Sequence, residues 1–424
     1  MAVIAKSITA LTGVISVPLT LQYLGAERFG LWMTISSLAS ILTFADLGLG
    51  NGLVSAVSVR YGRDEGNEIA QYVSSAFFFL LFTGLMLLTI FWSVHSWVPW
   101  TRVFSVASRV AASEADPAIF AVVVCFCIGL PLVVAQRIQM AMQEFWLSNL
   151  WLTAGNLLGL AGVILAIHWR VGLPVLTLAM YGGPVIAGLL STSVEFGLVR
   201  RALSPRWSLV SRQVISRLAR TGLIFFLLQI LTVLGLGIDN VVIAAMSNAE
   251  AVAPYAIMAR YAQSLLVVNV FLQPLWPAFG EAMGRGDYAW ARQALNRASR
   301  WTIGIGIGIA IFTAVAGQGV VRLWVGHSVT LPWELVCGVG VMILVQSYNG
   351  VVASFMNNEG LVHQQVGILF CTVVACLTLK VIFMRLWGVS GVPWATVLAF
   401  GGGYCLFGMA LVRRHLAQFQ SEIY

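Results

Sequence analysis

Residues 30–56 read GLWMTISSLASILTFADLGLGNGLVSA, a long apolar run that carries Asp46, two glycines and Asn51 near its end. About 20 apolar residues are enough to cross the hydrocarbon core of a bilayer as a helix. A charged side chain at that depth costs about 2.5–3.5 kcal/mol, so it normally faces a bundle interior or a wet cavity. The stretch therefore predicts a membrane helix that ends in a polar motif, Asp46-Leu47-Gly48-Leu49-Gly50-Asn51.

Composition places the whole chain in the same class. Of 424 residues, 59% are hydrophobic and only 9% are charged, whereas a soluble domain is about 25% charged. This excludes an ordinary water-soluble globule. The excess of 24 basic over 16 acidic residues would suggest nucleic acid in a soluble protein, but here cytoplasmic loops that collect Lys and Arg explain it. We expect no nucleic-acid partner.

Apolar runs of spanning length recur along the chain. Most of the Lys and Arg residues between them fall on the side of the amino terminus, which predicts that both termini are cytoplasmic. We therefore expect an all-α polytopic membrane protein with about 12 transmembrane helices. The runs lie at about residues 3–24, 30–56, 71–95, 118–140, 148–168, 173–198, 221–245, 255–278, 301–321, 333–356, 364–385 and 391–412.

The sequence also predicts two halves. A basic connection at mid-chain has apolar residues at helical spacing, the pattern of a helix that lies on an anionic inner leaflet. Short motifs recur on its two sides, such as Ala26-Glu27 and Ala249-Glu250. Halves of six spans enter the membrane in the same sense and form parallel lobes around a central cleft. The predicted boundaries are 1–199 for the first lobe, 200–220 for the linker and 221–424 for the second lobe.

No pattern in the sequence suggests a metal, a cofactor or a catalytic group. The five histidines are scattered, the six cysteines lie in apolar runs, and no P-loop occurs. Gly304, Gly306 and Gly308 alternate within a predicted span, which favours close helix packing over a dinucleotide site. We therefore expect no cofactor and no enzymatic activity.

A few polar residues inside the predicted spans are candidates for a site. Asp46 has either a helix-terminal role at the cytoplasmic surface or a role in substrate binding or gating. Asp239 and Arg260 either pair with each other or bind a substrate or a coupling ion, because a buried charge requires a partner. Glu195 and Lys380 lie near span ends, where snorkelling to the membrane surface is a sufficient explanation.

The beginning of the chain resembles a known family. The succession Leu24-Gly25-Ala26-Glu27-Arg28-Phe29-Gly30-Leu31-Trp32, followed by the Asp46–Asn51 motif, is similar to the opening of bacterial polysaccharide-biosynthesis flippases. These are the Wzx-type O-antigen and exopolysaccharide exporters of the multidrug/oligosaccharidyl-lipid/polysaccharide (MOP) superfamily. Asp239-Asn240, Tyr255 and Arg260 on adjacent predicted spans add to the resemblance.

The resemblance implies a transporter that works by alternating access. Its substrate is a polyprenyl-(pyro)phosphate-linked oligosaccharide, moved from the inner to the outer leaflet of a bacterial cytoplasmic membrane. Membrane lipids, a coupling H⁺ or Na⁺ and other polysaccharide-assembly proteins are the implied partners. A multidrug or cation antiporter of the same fold stays an alternative, and a membrane-embedded glycan polymerase is a less favoured one.

Five residues are the candidate contacts under this interpretation. Arg28 and Arg260 are expected to bind the anionic head group, since arginine makes bidentate contacts to phosphate. Arg137, at the inner end of the fourth predicted span, is expected to meet the pyrophosphate on entry. Asp46 and Asp239 are expected to gate the path or to couple it to an ion.

Overall fold

A computed structural model of the protein describes most of the chain beyond the second predicted span. Most of the first two predicted spans, at about 3–24 and 30–56, lies outside the described residues. The described residues are 19–20, 22–25, 28–29, 31–32, 35–36, 46–98, 100, 108–247, 249–325, 331–358 and 361–418.

Helices make up all the regular secondary structure in these ranges. The first half contains α1 (Leu49–Gly62), α2 (Gly66–Val94), α3 (Arg109–Ala141), α4 (Phe145–His168) and α5 (Leu173–Val194), which continues as a π-helical turn, Glu195–Val199. The second half contains α6 (Arg212–Leu236), α7 (Asp239–Met246), α8 (Ala249–Leu265), α9 (Leu275–Arg285), α10 (Tyr288–Val325), α11 (Trp333–Met356), α12 (Val362–Trp387), α13 (Gly391–Ala399) and α14 (Leu406–Gln418).

The helices agree with a membrane-spanning architecture. Eight segments of the described part are long and apolar enough to cross a membrane, and one of them, Val362–Gln418, covers both of the last two predicted spans. The seventh predicted span is broken between α6 and α7. The eighth is broken between α8 and α9, where Leu266–Leu272 is 3₁₀-helical. The prediction of an all-α polytopic membrane protein is confirmed.

The chain divides into two compact units, Met1–Leu223 and Ile224–Tyr424, with the boundary inside α6. The boundary lies just beyond the predicted linker, 200–220. The cleft between two six-helix lobes stays a prediction.

In the first unit, small residues let α4 and α5 pack closely. A Cβ on Gly183 would lie 2.3 Å from the backbone nitrogen of Gly159, and a Cβ on Gly159 would lie 2.8 Å from the carbonyl oxygen of Met180. Gly155 and Gly159 are four residues apart, the small-xxx-small spacing that brings membrane helices together. The sequence thus determines which face of α4 is buried.

In the second unit, α11 is central and α10 is peripheral. In the most apolar part of α11, 61% is buried, whereas in the most apolar part of α10 only 17% is buried. Phe355 of α11 packs on Phe279 of α9 with ring centroids 5.1 Å apart. Much of the surface of α10 is therefore left uncovered by the rest of the unit.

The mid-chain connection differs from the predicted amphipathic helix. Residues 200–211 contain only short 3₁₀ turns, at Arg201–Leu203 and Trp207–Leu209, and the α-helix begins at Arg212. Pro205 explains the difference, because proline lacks an N–H donor and disfavours helical geometry in the residue before it. The helical spacing of the apolar residues is therefore realised only in α6.

Two serines of α2 hold this connection. The backbone N–H of Arg206 donates to Ser74 Oγ, and that of Ser211 donates to Ser75 Oγ, each over 3.1 Å. Both serine side chains are buried. The connection is thus fixed to the first unit by hydrogen bonds.

The alternating glycines of α10 have two different environments. A Cβ on Gly306 would lie 2.4 Å from Leu344 Cδ1, whereas nothing lies within 4 Å of a Cβ on Gly304 or Gly308. The prediction of close packing is right for Gly306 and wrong for Gly304 and Gly308. Residues two apart on a helix are rotated by about 200°, so Gly304 and Gly308 lie nearly opposite Gly306. Only one of these two faces can meet α11.

Candidate functional site

The break between α6 and α7 places polar groups inside the second unit. Because α6 ends at Leu236, carbonyl groups at its end, such as that of Gly235, have no partner within the helix. The break also puts the carboxylate of Asp239 at the first turn of α7, where the helix dipole favours a negative charge. Asp239 is only 5% exposed. The carbonyl groups at the end of α6 and the Asp239 carboxylate both attract a cation.

Lys380 supplies that cation from α12. Its side chain is 0% exposed, and its ammonium group donates to the Asp239 carboxylate and, over 2.5 Å, to the Gly235 carbonyl oxygen. A buried ammonium group is tolerated only when it is paired and hydrogen-bonded. The expectation that Lys380 snorkels is wrong, because α12 continues for about two turns beyond it to Trp387.

Tyr255 of α8 completes the arrangement. Its hydroxyl donates to Asp239 Oδ2, while Lys380 bonds to Oδ1. The predicted alternative of a pair between Asp239 and Arg260 is therefore wrong. Arg260 follows Tyr255 by five residues, which turns it about 140° around the helix and away from Asp239. We refer to Asp239, Lys380 and Tyr255 as the buried charge cluster.

A further helix closes the cluster. The thiol of Cys376, one turn before Lys380, donates to the Gly235 carbonyl oxygen over 3.7 Å and to Thr396 Oγ1 of α13 over 3.9 Å. The cluster and the adjacent Cys376 together connect α6, α7, α8, α12 and α13. Such an ion pair can open when a proton neutralises one partner or when another cation displaces the ammonium group.

Arg260 is an exposed charged residue of α8. Its backbone oxygen accepts a hydrogen bond from Ser264 Oγ over 3.1 Å. Within the described part of the chain its guanidinium group has no hydrogen-bond or ion-pair partner. Inward-facing residues of the same helix are satisfied: Tyr261, for example, bonds to Thr313 over 3.2 Å. Arg260 is therefore available to a ligand.

In the first unit the structure brings Asp46 and Arg137 to the same turn, which the sequence did not predict. Asp46 Oδ1 accepts the N–H of Gly48 over 2.9 Å, and Arg137 donates to Asn51 Oδ1 over 3.1 Å. A Cβ on Gly50 would lie 2.6 Å from Arg137 Nε and 3.2 Å from Asp46 Oδ2. Gly50 thus makes room for the guanidinium group. We refer to Asp46–Asn51 with Arg137 as the motif turn.

Arg28 has a dedicated partner. Its guanidinium group makes a bidentate ion pair with Glu114 of α3, with both distances 2.7 Å. Glu114 also accepts the backbone N–H of Leu173 over 3.2 Å. A head group that bound Arg28 would have to displace Glu114.

A second buried acid was missed by sequence reasoning. Glu195 was expected to snorkel, but its side chain is fully buried. Its carboxylate accepts a hydrogen bond from Gln139 over 3.0 Å and forms an ion pair with Arg200. Arg200 also bonds to Glu144 over 2.6 Å. Burial lowers the pKa of Arg200, but the two carboxylates outweigh burial and raise the pKa above its ordinary value. The network fixes the end of α5 to α3 and α4.

Comparison with protein families gives one match. A family model described as "Polysaccharide biosynthesis protein" matches residues 1–283, about two thirds of the chain. Among curated proteins no match was found.

Solved structures with the same fold are transporters. The chain is similar to MATE in the bent conformation, with a TM-score of 0.84 at 16% identity over 99% of this chain and 94% of that one. A MATE transporter of Vibrio cholerae, VcmN in the bent form, gives 0.81 at 14% over 99% and 97%. A MOP superfamily transporter from Pyrococcus furiosus, whose binding pocket has reverse polarity, gives 0.79 at 15% over 99% and 94%. At such identities the likeness shows a common fold alone.

Proposed function

The chain belongs to the polysaccharide biosynthesis protein family and has the fold of MOP superfamily transporters, and we propose that it flips a polyprenyl-(pyro)phosphate-linked oligosaccharide. Transport runs from the inner to the outer leaflet of a bacterial cytoplasmic membrane, with both termini in the cytoplasm. Alternating access driven by H⁺ or Na⁺ moves the head group. The product enters O-antigen, lipopolysaccharide or exopolysaccharide synthesis, where other assembly proteins receive it.

The observation that carries this proposal is that, in the second unit, the Asp239 carboxylate has partners and the Arg260 guanidinium group does not. Asp239 is bonded to both Lys380 and Tyr255, whereas Arg260 has no side-chain partner among the described residues. A cationic substrate needs an available carboxylate, and a phosphate needs an available guanidinium group. Arg260 therefore supports a substrate with an anionic head group.

The chemistry of the substrate fits this assignment. A sugar chain on a lipid pyrophosphate cannot cross hydrocarbon unaided, since its polar groups would be left without hydrogen bonds. Arginine binds phosphate with two parallel hydrogen bonds. An arginine at membrane depth is costly unless it meets an anion or water, so Arg260 favours a state in which it contacts a head group.

The other candidate residues have secondary roles in this proposal. Arg137 meets the pyrophosphate on entry by exchanging Asn51 for phosphate, and Arg28 contributes only after Glu114 releases it. Asp46 and Asp239 act in gating or ion coupling. Asp239 does so through the buried charge cluster, where loss of one charge would release α12 from α7.

Reconstitution tests the proposal. The intact protein is placed in liposomes with a lipid-linked oligosaccharide, and exposure of the sugar on the outer leaflet is measured. We expect transport by the intact chain and a loss of about tenfold or more for Arg260→Ala, because a hydrogen bond to a charged group contributes about 1.5–3 kcal/mol.

Two controls make the result specific. Arg260→Lys keeps the charge without the planar fork and should transport at an intermediate rate. Arg322→Ala removes another exposed arginine of the second unit and should transport normally. An intact protein that flips nothing would overturn the function, and normal transport by Arg260→Ala would overturn the site alone.

The antiporter alternative draws on the fold, since relatives of that fold include a multidrug resistance MATE family transporter. It predicts that a cationic drug binds near a carboxylate that is free of Lys380. Efflux of an organic cation by the reconstituted protein, abolished by Asp239→Asn and unaffected by Arg260→Ala, would favour it over the flippase.

A further inference from the structure

A groove runs along the uncovered face of α10 in the second unit. Two cavities of about 300 and 570 Å³ form it, and both are lined by Arg297, Trp301 and Ile305. These residues are four apart, so they lie on one stripe of the helix. The two cavities therefore adjoin along this stripe, and together we refer to them as the groove.

One end of the groove is positively charged. Arg297 and Arg300 both line the wider cavity, and both are exposed. None of the described residues that line either cavity is acidic. Arg300 Nε reaches only the backbone oxygen of Asn296, over 3.4 Å. Two guanidinium groups can therefore face one anionic ligand.

The remainder of the groove is apolar. Phe271, Leu272 and Leu275 line it opposite Ile309 of α10. Phe271 and Leu272 belong to the 3₁₀ segment that interrupts the eighth predicted span. Non-helical backbone at membrane depth is tolerated where protein or a cavity covers it. The break therefore provides one wall of the groove.

Glycine keeps the α10 wall bare. Gly304 lines the wider cavity, and Gly308 follows it one turn later, with nothing within 4 Å of a Cβ at either position. A larger side chain at Gly304 would project into the groove. Trp301, 67% exposed, lies between the arginines and this bare stretch, as an aromatic residue does at a membrane interface.

We propose that, before the head group reaches Arg260, this groove binds the lipid anchor of the transported molecule, with its diphosphate on Arg297 and Arg300 and its first isoprene units along Gly304. The inference rests on the proposed function and deepens it by naming where the lipid part is held. Two arginines match the two phosphate groups of a polyprenyl diphosphate, whereas a phosphodiester lipid offers one. A polyprenyl lipid has one chain, which a single groove can hold. Each buried CH₂ group of that chain adds to the binding free energy.

Binding of a defined probe tests the groove. Full-length protein in detergent is exposed to a polyprenyl diphosphate that carries a photoreactive group on its first isoprene units. We expect cross-links on Phe271 or Trp301. Gly304→Leu should reduce labelling at least fivefold, because its side chain fills the groove, and the double variant Arg297→Gln, Arg300→Gln should reduce it similarly.

A matched glycine serves as the control. Gly319 lies on the same helix outside the groove and also has open space around a Cβ, so Gly319→Leu should label normally. Thermal unfolding of all variants confirms that they fold. Full labelling of Gly304→Leu, or equal competition by phosphatidylglycerol or by inorganic pyrophosphate, would overturn the inference.

The liposome assay separates this inference from the function itself. If the intact chain flips the lipid-linked oligosaccharide and Gly304→Leu flips and labels as the intact chain does, the groove assignment is wrong and the function stands. If the intact chain labels in the groove but flips nothing, the function is wrong.

Discussion

The two carboxylates that the sequence singles out, Asp46 and Asp239, are held in opposite ways. Asp239 is bonded to a fully buried side chain of another helix, Lys380. Asp46 is half-buried and accepts a hydrogen bond from its own turn, at Gly48. Its neighbour Arg137 donates to Asn51 and attracts the Asp46 carboxylate without a direct hydrogen bond to it among the described contacts. One carboxylate is thus held by charge and the other by backbone geometry.

The difference indicates how each region can change state. In the buried charge cluster the contact between α7 and α12 is an ion pair whose two partners are both buried. Such a contact is lost when either charge is removed. In the motif turn, Leu47 and Gly48 both have positive φ, 49° and 72°. A turn held in this conformation can respond to movement of a helix that packs on it.

Removing Lys380 should give the largest effect and would test the first half of the comparison. Lys380→Ala leaves a buried carboxylate unpaired, and we expect a loss of about 3–5 kcal/mol in stability. Arg137→Ala should cost clearly less, because Asp46 keeps its bond to Gly48. Thermal unfolding in detergent measures both.

The double variant Asp239→Asn, Lys380→Ala is the control for this prediction. With both charges removed, most of the lost stability should return, since the cost lies in the unpaired charge. If the double variant is as unstable as Lys380→Ala, the effect comes from packing and not from the ion pair.

A substitution at Gly50 should have an intermediate effect and would test the second half of the comparison. The Cβ of Gly50→Ala would meet Arg137 Nε at 2.6 Å, so the guanidinium group must move. We expect a loss of about 1–3 kcal/mol, typical of overpacking, together with slower transport. Unfolding and liposome assays measure the two.

Gly66→Ala is the matched control, because Gly66 also lies in the first turn of a helix but has nothing within 4 Å of a Cβ. It should be neutral or slightly stabilising, since alanine favours helix over glycine. Equal effects at Gly50 and Gly66 would show that the contact with Arg137 is unimportant.

Much of the fold could be predicted from the sequence, because length and apolarity are local properties. The runs at 118–140 and 333–356, for example, fall inside α3 and α11. The breaks in the seventh and eighth spans were not predicted, since Gly237 and Pro274 are compatible with continuous membrane helices.

The candidate site was predicted only in part. Asp239 was identified as a candidate, but its partners were not. Tyr255 was noted only in the family resemblance, and Lys380 is far along the chain, where its position near a span end suggested snorkelling. Which residues of two helices face each other depends on rotation about the helix axes, and that is a tertiary property. The role of Gly50 was not predicted for the same reason. A side chain at this position is excluded by Arg137, and that contact depends on how the two helices pack.

The smallest expected effect concerns the strain of the motif turn itself. Leu47 is 44% exposed and left-handed, a conformation that costs a residue other than glycine about 1–2 kcal/mol and that asparagine adopts more readily. We therefore expect Leu47→Asn to raise stability by up to about 1 kcal/mol. Arg170→Asn, at another exposed left-handed position, should raise it similarly.

Transport distinguishes the two positions. A Cβ on Gly222 of α6 would lie 2.9 Å from the carbonyl oxygen of Leu47, so the turn packs directly on the helix that continues into the second unit. If the strained turn responds to α6, Leu47→Asn should alter the transport rate severalfold while Arg170→Asn leaves it unchanged. Equal transport by both variants would mean that the left-handed turn is only a structural connection.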